Sequence, residues 1–262
     1  MSDWDFTGKR LLLLGSCGVL GQEHTKYFVE RGANLVIADR PGSNLSELAS
    51  KYSVQYCEID CSDEQSIVQG VQCALSLLGG IDGAIYNSAI TGDGLSKISD
   101  DPFPEFDNYP LSLWNEVLNV NLTGAFLFSR EIGRVLKNNP NGGSLILVSS
   151  IYGVVSPDHR IYDTVNFNCF PSYSASKAGL IGLMRWLATL WSPHGVRVNC
   201  VSPGGVFNNQ QSSFVNAYSG RVPMGRMARS TEISSALAYL LSDSAAYCTG
   251  QNLVIDGGLT AW

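Results

Sequence analysis

The chain has 262 residues, 45% of them hydrophobic, which is enough for the core of one large α/β domain. Its net charge of -6 and the lack of a lysine/arginine run argue against a nucleic-acid or anionic-membrane surface. No apolar run approaches the roughly 20 residues of a membrane helix, and the first residues do not resemble a signal peptide, so we expect a cytoplasmic protein that acts on a small molecule.

Seven short apolar runs, each suited to a strand buried on both faces, alternate with helical patterns along the chain. The runs cover residues 10–14, 34–38, 54–59, 83–86, 144–149, 196–201 and 253–255. This alternation predicts a single α/β domain whose doubly wound parallel sheet has about seven strands, with helices on both faces.

The first predicted strand leads directly into Gly15, Gly18 and Gly21, which have the spacing GxxGxxG and precede a helical pattern. Glycines there permit a tight turn and let a pyrophosphate approach the N–H groups at the start of the helix. Asp39 follows the second strand, 18 residues beyond Gly21, where a carboxylate can bind ribose hydroxyls. Because a carboxylate repels a 2'-phosphate, we expect NAD, and Arg40 beside it leaves NADP as the alternative.

Three long stretches rich in polar residues, glycine or proline each follow a predicted strand, at residues 91–110, 156–172 and 204–229. In an open parallel sheet the ligand crevice lies beyond the carboxyl ends of the strands. These stretches are therefore predicted to form the substrate mouth, with ordinary surface loops as the alternative.

Tyr173 and Lys177 lie four residues apart at the start of a long apolar helical pattern, so their side chains share one face of the predicted helix. A cation roughly 4 Å from a phenol is worth roughly 4 kcal/mol at an effective dielectric of about 20, which lowers the phenol pKa by about 3 units before desolvation opposes it. Such a phenol suits proton exchange during interconversion of an alcohol and a ketone. Taken alone, the pair also fits an ordinary amphipathic helix.

The seven cysteines are scattered, without a CxxC pair, so we expect reduced and mostly buried thiols. The three histidines are far apart in the sequence, so we predict no metal site.

With these landmarks in order, the sequence resembles the short-chain dehydrogenase/reductase family over nearly its whole length. The landmarks are the glycine turn, Asp39, Asn87-Ser88-Ala89, Asn121, Ser150, Tyr173 with Lys177, and Pro203-Gly204. The resemblance implies a Rossmann-type fold and an NAD-dependent oxidoreductase that acts on CH–OH groups.

The resemblance also implies a role for each catalytic position. Tyr173 would be the proton donor or acceptor, and Lys177 its activator and a ligand of the nicotinamide ribose. Ser150 would hold the substrate oxygen, and Asn121 would anchor a water that leads protons out past Lys177. The simpler alternatives are that Ser150 only caps a strand end and that Asn121 only bonds its own helix. The implied cofactor contacts are Gly15, Ser16, Gly18, Leu20, Gly21, Asp39, Arg40, Asp60, Cys61, Asn87, Ser88, Ala89, Tyr173, Lys177, Pro203, Gly204, Val206 and Asn208.

Some positions depart from the family pattern. Val19 stands where the second glycine is common, and the resulting spacing is closer to that of sugar-nucleotide epimerases, although the chain lacks room for their substrate domain. Tyr173 follows Ser150 by 23 positions, a longer gap than is usual. The gap is predicted to loop over the active-site mouth, where His159 and Arg160 are candidates for binding an anionic or hydroxyl-rich substrate. A salt-bridged surface loop is the alternative.

The polar stretch at residues 208–213, followed by Arg221 and Arg226, predicts a sugar, keto-sugar or sugar phosphate as substrate. Similarity to reductases associated with bacterial surface-sugar synthesis points the same way. The family further implies a homotetramer, with a dimer as the alternative. Two other functions stay open: a catalytically silent NAD-binding regulatory or scaffolding protein, and an epimerase or dehydratase that retains its NAD.

Overall fold

A computed structural model describes residues 4–162 and 168–262 of the protein. Seven strands form one parallel sheet with the order β3-β2-β1-β4-β5-β6-β7. The strands are β1 (Arg10–Leu14), β2 (Asn34–Asp39), β3 (Gln55–Glu58), β4 (Gly83–Tyr86), β5 (Gly143–Val148), β6 (Val196–Pro203) and β7 (Asn252–Ile255). The prediction of a seven-stranded doubly wound sheet is confirmed, and the predicted strand ends differ from the observed ones by at most two residues.

Helices lie between the strands in the described part of the chain. They are α1 (Val19–Val29), α2 (Leu45–Tyr52), α3 (Glu64–Leu78), α4 (Gly92–Leu95), α5 (Leu111–Leu118), α6 (Gly124–Leu136), α7 (Pro171–Trp191), α8 (Ser212–Ser219) and α9 (Ser230–Leu241). A π-helical turn, Asn119–Thr123, joins α5 to α6. Short 3-10 turns at Ile151–Gly153 and His159–Tyr162 follow β5. None of the described helices combines the length and the apolar character that crossing a membrane requires.

The side chains of β1 show how the two faces of the sheet are covered. Leu12 and Leu14 pack with residues of α3, α6 and α7, whereas Leu11 and Leu13 pack with residues of α1, α2 and α9. Successive side chains of a strand point to opposite faces, so a continuous leucine run supplies both cores at once.

The chain reverses direction across the sheet between β1 and β4. It passes from β1 outward through β2 to β3, and then returns to the other side of β1 as β4. At such a switch point the loops at the carboxyl ends of the two strands diverge and leave a crevice that binds ligands. The three predicted substrate loops follow β4, β5 and β6 at this same edge.

One sequence expectation is wrong. Cys57 of β3 and Cys73 of α3 form a disulfide whose Cα atoms lie 6.4 Å apart, so the thiols are not all reduced. The helix that follows the edge strand folds back over it and brings together two cysteines that are 16 residues apart in the sequence. The remaining five cysteines are free, and Cys61 and Cys200 among them are buried.

Candidate active site

The glycine turn meets the end of β4 at the switch point. Gly15 has a φ of +88°, and a Cβ atom at this position would overlap the backbone of Asn87 and Ser88. The Asn87 Nδ2 atom donates a hydrogen bond to the Gly15 carbonyl over 2.8 Å, which fixes the turn against β4. A Cβ atom on Gly21 would overlap the Gly15 carbonyl in the same way. Only glycine fits at positions 15 and 21. The glycine turn therefore packs closely against the first turn of α1.

The start of α1 is open to a ligand. Gly18 is its N-cap residue, and among the described residues no side chain caps the helix there. The free N–H groups and the positive end of the helix suit a pyrophosphate. The Ser16 hydroxyl is buried and donates to the Ala38 carbonyl over 3.1 Å, so it braces the turn from inside. Leu20 lies in the first turn of the helix and is half-buried.

Asp39 is fixed at the mouth of the glycine turn. Its Oδ2 atom accepts a hydrogen bond from the Cys17 N–H over 2.8 Å, and its Oδ1 atom accepts one from the Arg40 N–H over 2.9 Å. The carboxylate thus lies beside the predicted pyrophosphate site, while Arg40 is exposed. The residues present fit a dinucleotide, because a tight glycine turn, an open helix start and a positioned acid occur together.

The loop after β3 lies next to the Asn87-Ser88-Ala89 segment. The Asp60 Oδ1 atom accepts hydrogen bonds from the Ser62 N–H and hydroxyl over 2.8 and 2.6 Å, so that carboxylate holds its own turn. The Cys61 thiol is buried next to Ser88 and Tyr86, and burial raises its pKa to about 11. Cys61 is therefore an inert packing residue between this loop and the Asn87-Ser88-Ala89 segment.

Ser150, Tyr173 and Lys177 come together where β5 ends against α7. Ser150 and Tyr173 both line the same cavity, and the Ser150 hydroxyl lies close enough to favour the phenolate form of Tyr173. The Lys177 Nζ atom lies 5.5 Å from the centre of the Tyr173 ring and donates to the Val148 carbonyl over 2.8 Å. The Ser149 hydroxyl donates to the Lys177 carbonyl over 2.7 Å, which ties the helix to the strand. The alternative for Ser150 also holds in part, since its hydroxyl accepts a hydrogen bond from Tyr152 N–H over 3.1 Å and caps the 3-10 turn.

The pKa values of the pair differ from the sequence expectation. Burial raises the pKa of Tyr173 to about 12, although the nearby Ser150 hydroxyl opposes the rise. Burial likewise lowers the pKa of Lys177 to about 8. The expectation of a lowered phenol pKa is wrong for the protein alone, because desolvation of the phenolate outweighs the attraction of an ammonium that is itself buried.

Asn121 links the two sides of the site from the π-helical turn. Its Oδ1 atom accepts a hydrogen bond from the Ile90 N–H over 2.7 Å, and its Nδ2 atom donates to the Ile90 carbonyl and the Ser176 hydroxyl over 3.2 Å each. Ser176 immediately precedes Lys177. The side chain therefore joins the end of β4 to α7, and the alternative of a bond only within its own helix is wrong. Interruptions of this kind in a helix are frequent at functional sites.

The segment after β6 closes the site from the other side. The Gly204 N–H donates to the Ile255 carbonyl over 2.9 Å, so Pro203 and Gly204 continue the pairing of β6 with β7. Val206 forms an isolated bridge with Ala228. The exposed Asn208 donates its N–H to Gln210 Oε1 over 2.7 Å, and this turn leads into α8.

A cavity of about 510 Å³ opens between the three predicted loops. Ser150 and Tyr173 form part of its wall together with Gly204, Val206 and Asn208. The other described lining residues are Thr91, Gly92, Ile151, Tyr152, Tyr162, Asn168, Cys169, Phe170, Gly205, Gln210, Gln211, Phe214, Tyr218 and Met227. The predicted polar stretch supplies Asn208, Gln210 and Gln211 to this lining, whereas Asn168 and the aromatic residues other than Tyr173 were not predicted. Phe214 and Tyr218 lie four residues apart on α8, and the remaining aromatic residues are spaced irregularly after β5.

His159 and Arg160 do not belong to this wall. Both are exposed, and neither is among the described residues that line the cavity. The Arg160 guanidinium donates to both carboxylate oxygens of Asp158 over 2.8 Å, and Asp158 also pairs with Arg221. The segment thus has the salt-bridged surface arrangement that was the alternative. No group of three or more His, Cys, Asp or Glu residues within 4–162 and 168–262 could hold a metal ion.

The chain is similar to known proteins over nearly its full length. Residues 18–260 match the family described as "Enoyl-(Acyl carrier protein) reductase". It is 30% identical to trans-4-hydroxycyclohexanecarboxylate dehydrogenase of Sinomonas cyclohexanicum, over 97% of this chain and 93% of that protein. It is 28% identical to glucose 1-dehydrogenase of Gluconobacter oxydans, over 98% of this chain and 94% of that protein. A short-chain dehydrogenase from Leptospira borgpetersenii, solved with bound NAD+, superposes with a TM-score of 0.82 at 31% identity, over 98% of this chain and 94% of that one. The protein belongs to the short-chain dehydrogenase/reductase family of oxidoreductases.

Proposed function

We propose that the protein is an NAD-dependent oxidoreductase that interconverts a secondary alcohol and a ketone on a polar, ring-shaped small molecule such as a sugar or sugar derivative. The observation that carries the proposal is the pair of Ser150 and Tyr173 on the cavity wall, with Lys177 packed against the tyrosine ring. Two hydroxyls on the same cavity wall can both reach one substrate oxygen, which is the arrangement that stabilises an alkoxide-like transition state.

A bound nicotinamide ring supplies the exchange of a hydride with the substrate carbon. In the direction of reduction, the Tyr173 hydroxyl donates its proton to the ketone oxygen, and the Ser150 hydroxyl donates a hydrogen bond to the same atom. The raised pKa of Tyr173 keeps this proton available at neutral pH. In the direction of oxidation, Tyr173 accepts the alcohol proton, and the ammonium of Lys177 stabilises the phenolate that precedes this step. The proposed path for the proton runs past Lys177. Asn121 lies at its start, because its side chain is hydrogen bonded to Ser176, the residue before Lys177.

The cavity supports a ring-shaped substrate. Tyr152, Phe170 and Phe214 offer flat apolar faces on which the C–H faces of a saturated ring can pack, while Gln210 and Gln211 add amide groups that can bond hydroxyls. The sequence similarity to dehydrogenases named for glucose and for a hydroxycyclohexane acid supports the same size and shape.

NAD is the proposed cofactor, because the fixed Asp39 carboxylate would face a 2'-phosphate. The exposed Arg40 is the reason that NADP is the competing choice. The NAD+ bound to the similar Leptospira borgpetersenii enzyme supports the proposal.

We further propose a homo-oligomer, a tetramer or a dimer, in the cytoplasm, where NAD and polar metabolites are abundant. Phe126 of α6 and Trp186 and Leu190 of α7 are 47%, 63% and 49% exposed, which is unusual for apolar side chains of this size on neighbouring helices. Light scattering after size-exclusion chromatography tests this, and a monomeric mass at micromolar concentration contradicts it.

The experiment that tests the function follows NADH absorbance while polyols, sugars, sugar phosphates and nucleotide sugars are offered to the enzyme and to Tyr173→Phe. The wild type is expected to produce NADH with at least one of them, and Tyr173→Phe is expected to bind NADH but lose turnover. Equal behaviour of the two proteins favours the scaffolding alternative. Substrate conversion without any net change in NADH favours the epimerase or dehydratase alternative.

A further inference from the structure

The cavity wall contains no charged side chain among its described residues. The undescribed positions 163–167 contain no Lys, Arg or His, so they cannot supply a cation either. The arginines nearest in sequence are already engaged, since Arg160 and Arg221 pair with Asp158, and Arg226 pairs with Glu232. A phosphate or carboxylate that entered this cavity would lose its hydration without gaining a cationic partner, which is strongly unfavourable.

The wall does contain a buried hydrogen-bond acceptor without a partner. Asn168 lines the cavity, and its Oδ1 atom is buried with no hydrogen-bond partner among the described residues. Buried polar atoms are nearly always paired in folded proteins, so an unpaired acceptor on a residue of the cavity wall is a candidate partner for a donor from the ligand. An amide oxygen accepts a hydrogen bond from a hydroxyl, and it cannot accept one from a ketone or an ether.

Two tyrosines add a positioned polar group to the same wall. The hydroxyls of Tyr152 and Tyr162 are hydrogen bonded over 2.6 Å, and both residues line the cavity. Tyr152 also lies within the 3-10 turn that Ser150 caps, and its N–H donates to the Ser150 hydroxyl over 3.1 Å. The two tyrosine hydroxyls therefore lie in the same segment as Ser150, so a substrate can contact them and the reacting residues at once.

We infer that the cavity takes an uncharged substrate carrying a hydroxyl besides the one that reacts, and that Asn168 is the residue that selects for this second hydroxyl. The inference rests on the proposed function and narrows it. It favours neutral sugars, cyclic polyols and hydroxyketones, and it excludes sugar phosphates and ring carboxylates as good substrates.

The test compares matched substrates that differ in one group. Cyclohexanol, the 1,2-, 1,3- and 1,4-cyclohexanediols and 4-hydroxycyclohexanecarboxylate are offered with NAD+, and glucose is compared with glucose 6-phosphate. We expect the best diol to exceed cyclohexanol in kcat/KM by about tenfold or more, since a site built to bond a hydroxyl discriminates against the analogue that lacks it. We expect the charged member of each pair to be worse than its neutral counterpart by at least about tenfold.

Variants assign the preference to Asn168. Asn168→Leu is expected to reduce the ratio of diol to cyclohexanol toward one, mainly through a higher KM for the diol. Asn168→Gln, which keeps an amide oxygen and adds no charge, is expected to restore most of that ratio. Asn216→Leu makes the same chemical change on the exposed face of α8 and is expected to leave the ratio as in the wild type. Thermal melts establish that each variant is folded.

The outcomes separate this inference from the function on which it rests. An unchanged ratio in Asn168→Leu overturns the role of Asn168, and equal or better use of the charged substrates overturns the selection for a neutral one. In both cases NADH is still formed and the oxidoreductase stands. No NADH from any substrate of this panel or of the wider screen overturns the oxidoreductase itself.

Discussion

The ammonium of Lys177 donates its hydrogen bond to the backbone carbonyl of Val148 over 2.8 Å rather than to a carboxylate. Val148 is the last residue of β5, so this bond places the amine beneath Tyr173 and just before Ser150. The arrangement keeps a desolvated cation close to the site where a phenolate must form. The same desolvation opposes folding, because the charged form of a buried lysine is the one that burial disfavours.

Lys177→Met should separate these two effects. The folded pKa of about 8 lies below the ordinary value of 10.5, so the wild type carries the full penalty below pH 8 and loses it as the pH rises toward 10.5. The variant should therefore lose activity while its free energy of unfolding at pH 7 rises by up to about 3 kcal/mol. Urea unfolding at pH 7 and at pH 10 measures the difference, with the exposed Lys97→Met as the matched control. A gain that does not shrink at pH 10 contradicts this explanation.

His24 should govern the stability of the protein in acid. It is fully buried between α1 and α9, its Nδ1 atom bonds the Ser234 hydroxyl over 2.8 Å, and burial lowers its pKa to about 3. The unfolded chain takes up a proton on this histidine near pH 6.5, whereas the folded protein does so only near pH 3. The contribution of neutral His24 to the free energy of unfolding is therefore fully present above pH 6.5 and decreases as the pH falls toward 3. His24→Gln should remove this slope, which amounts to about 5 kcal/mol at most.

Unfolding free energies measured at intervals from pH 7 to pH 4 test the role of His24. The exposed His194→Gln serves as control and should keep the wild-type slope. A His24→Gln protein that loses stability in acid as steeply as the wild type does would show that other groups dominate.

Tyr218 should hold helix α8 against the segment that follows β6. Its hydroxyl accepts the Gly205 N–H, and a Cβ atom on Gly205 would overlap the tyrosine ring. Tyr218→Phe leaves that N–H without its partner, so we expect a loss of about 1–3 kcal/mol in stability. We also expect a higher KM for cofactor and substrate than in the wild type. Steady-state kinetics and thermal melts measure both, and the fully exposed Tyr247→Phe should change neither.

Asp39 should control the choice between NAD and NADP. Asp39→Ser removes the carboxylate that would face a 2'-phosphate and leaves Arg40 in place. The ratio of kcat/KM for NADP to that for NAD should rise about tenfold or more, corresponding to roughly 1.4 kcal/mol. Arg40→Ser should move the ratio in the opposite direction. A ratio that stays constant in both variants would show that neither side chain reads the ribose.

The sheet was predictable because each strand is a short apolar run between turn residues. The run at Leu11 to Leu14 serves both faces, and its end at Gly15 is marked by a residue that only a tight turn requires. The positions that resemble the family, Ser150 and Tyr173 among them, do lie together at the predicted edge of the sheet.

The remaining features depend on packing that no local pattern encodes. Burial decides the pKa of Tyr173, whereas the residue spacing indicates only how far Lys177 lies along the helix. The pairing of Cys57 with Cys73 follows from how α3 folds back on β3. Arg160 was predicted to reach the substrate from its place in the loop, but Asp158, two residues away, binds its guanidinium at the surface.

Gly124, the first residue of helix α6, packs very closely against its neighbours. A Cβ atom on Gly124 would overlap the Cys61 carbonyl and the Tyr86 hydroxyl, so the helix rests directly on the loop after β3, which carries the predicted cofactor contacts Asp60 and Cys61. Phe126, two residues further along α6, is 47% exposed. In a tightly packed protein interior, a displacement of one group shifts the groups that it contacts. Attachment of the enzyme to a support, or of a fluorescent label, through the outer side of this helix would therefore disturb dinucleotide affinity, and the opposite end of the sheet is the safer anchor.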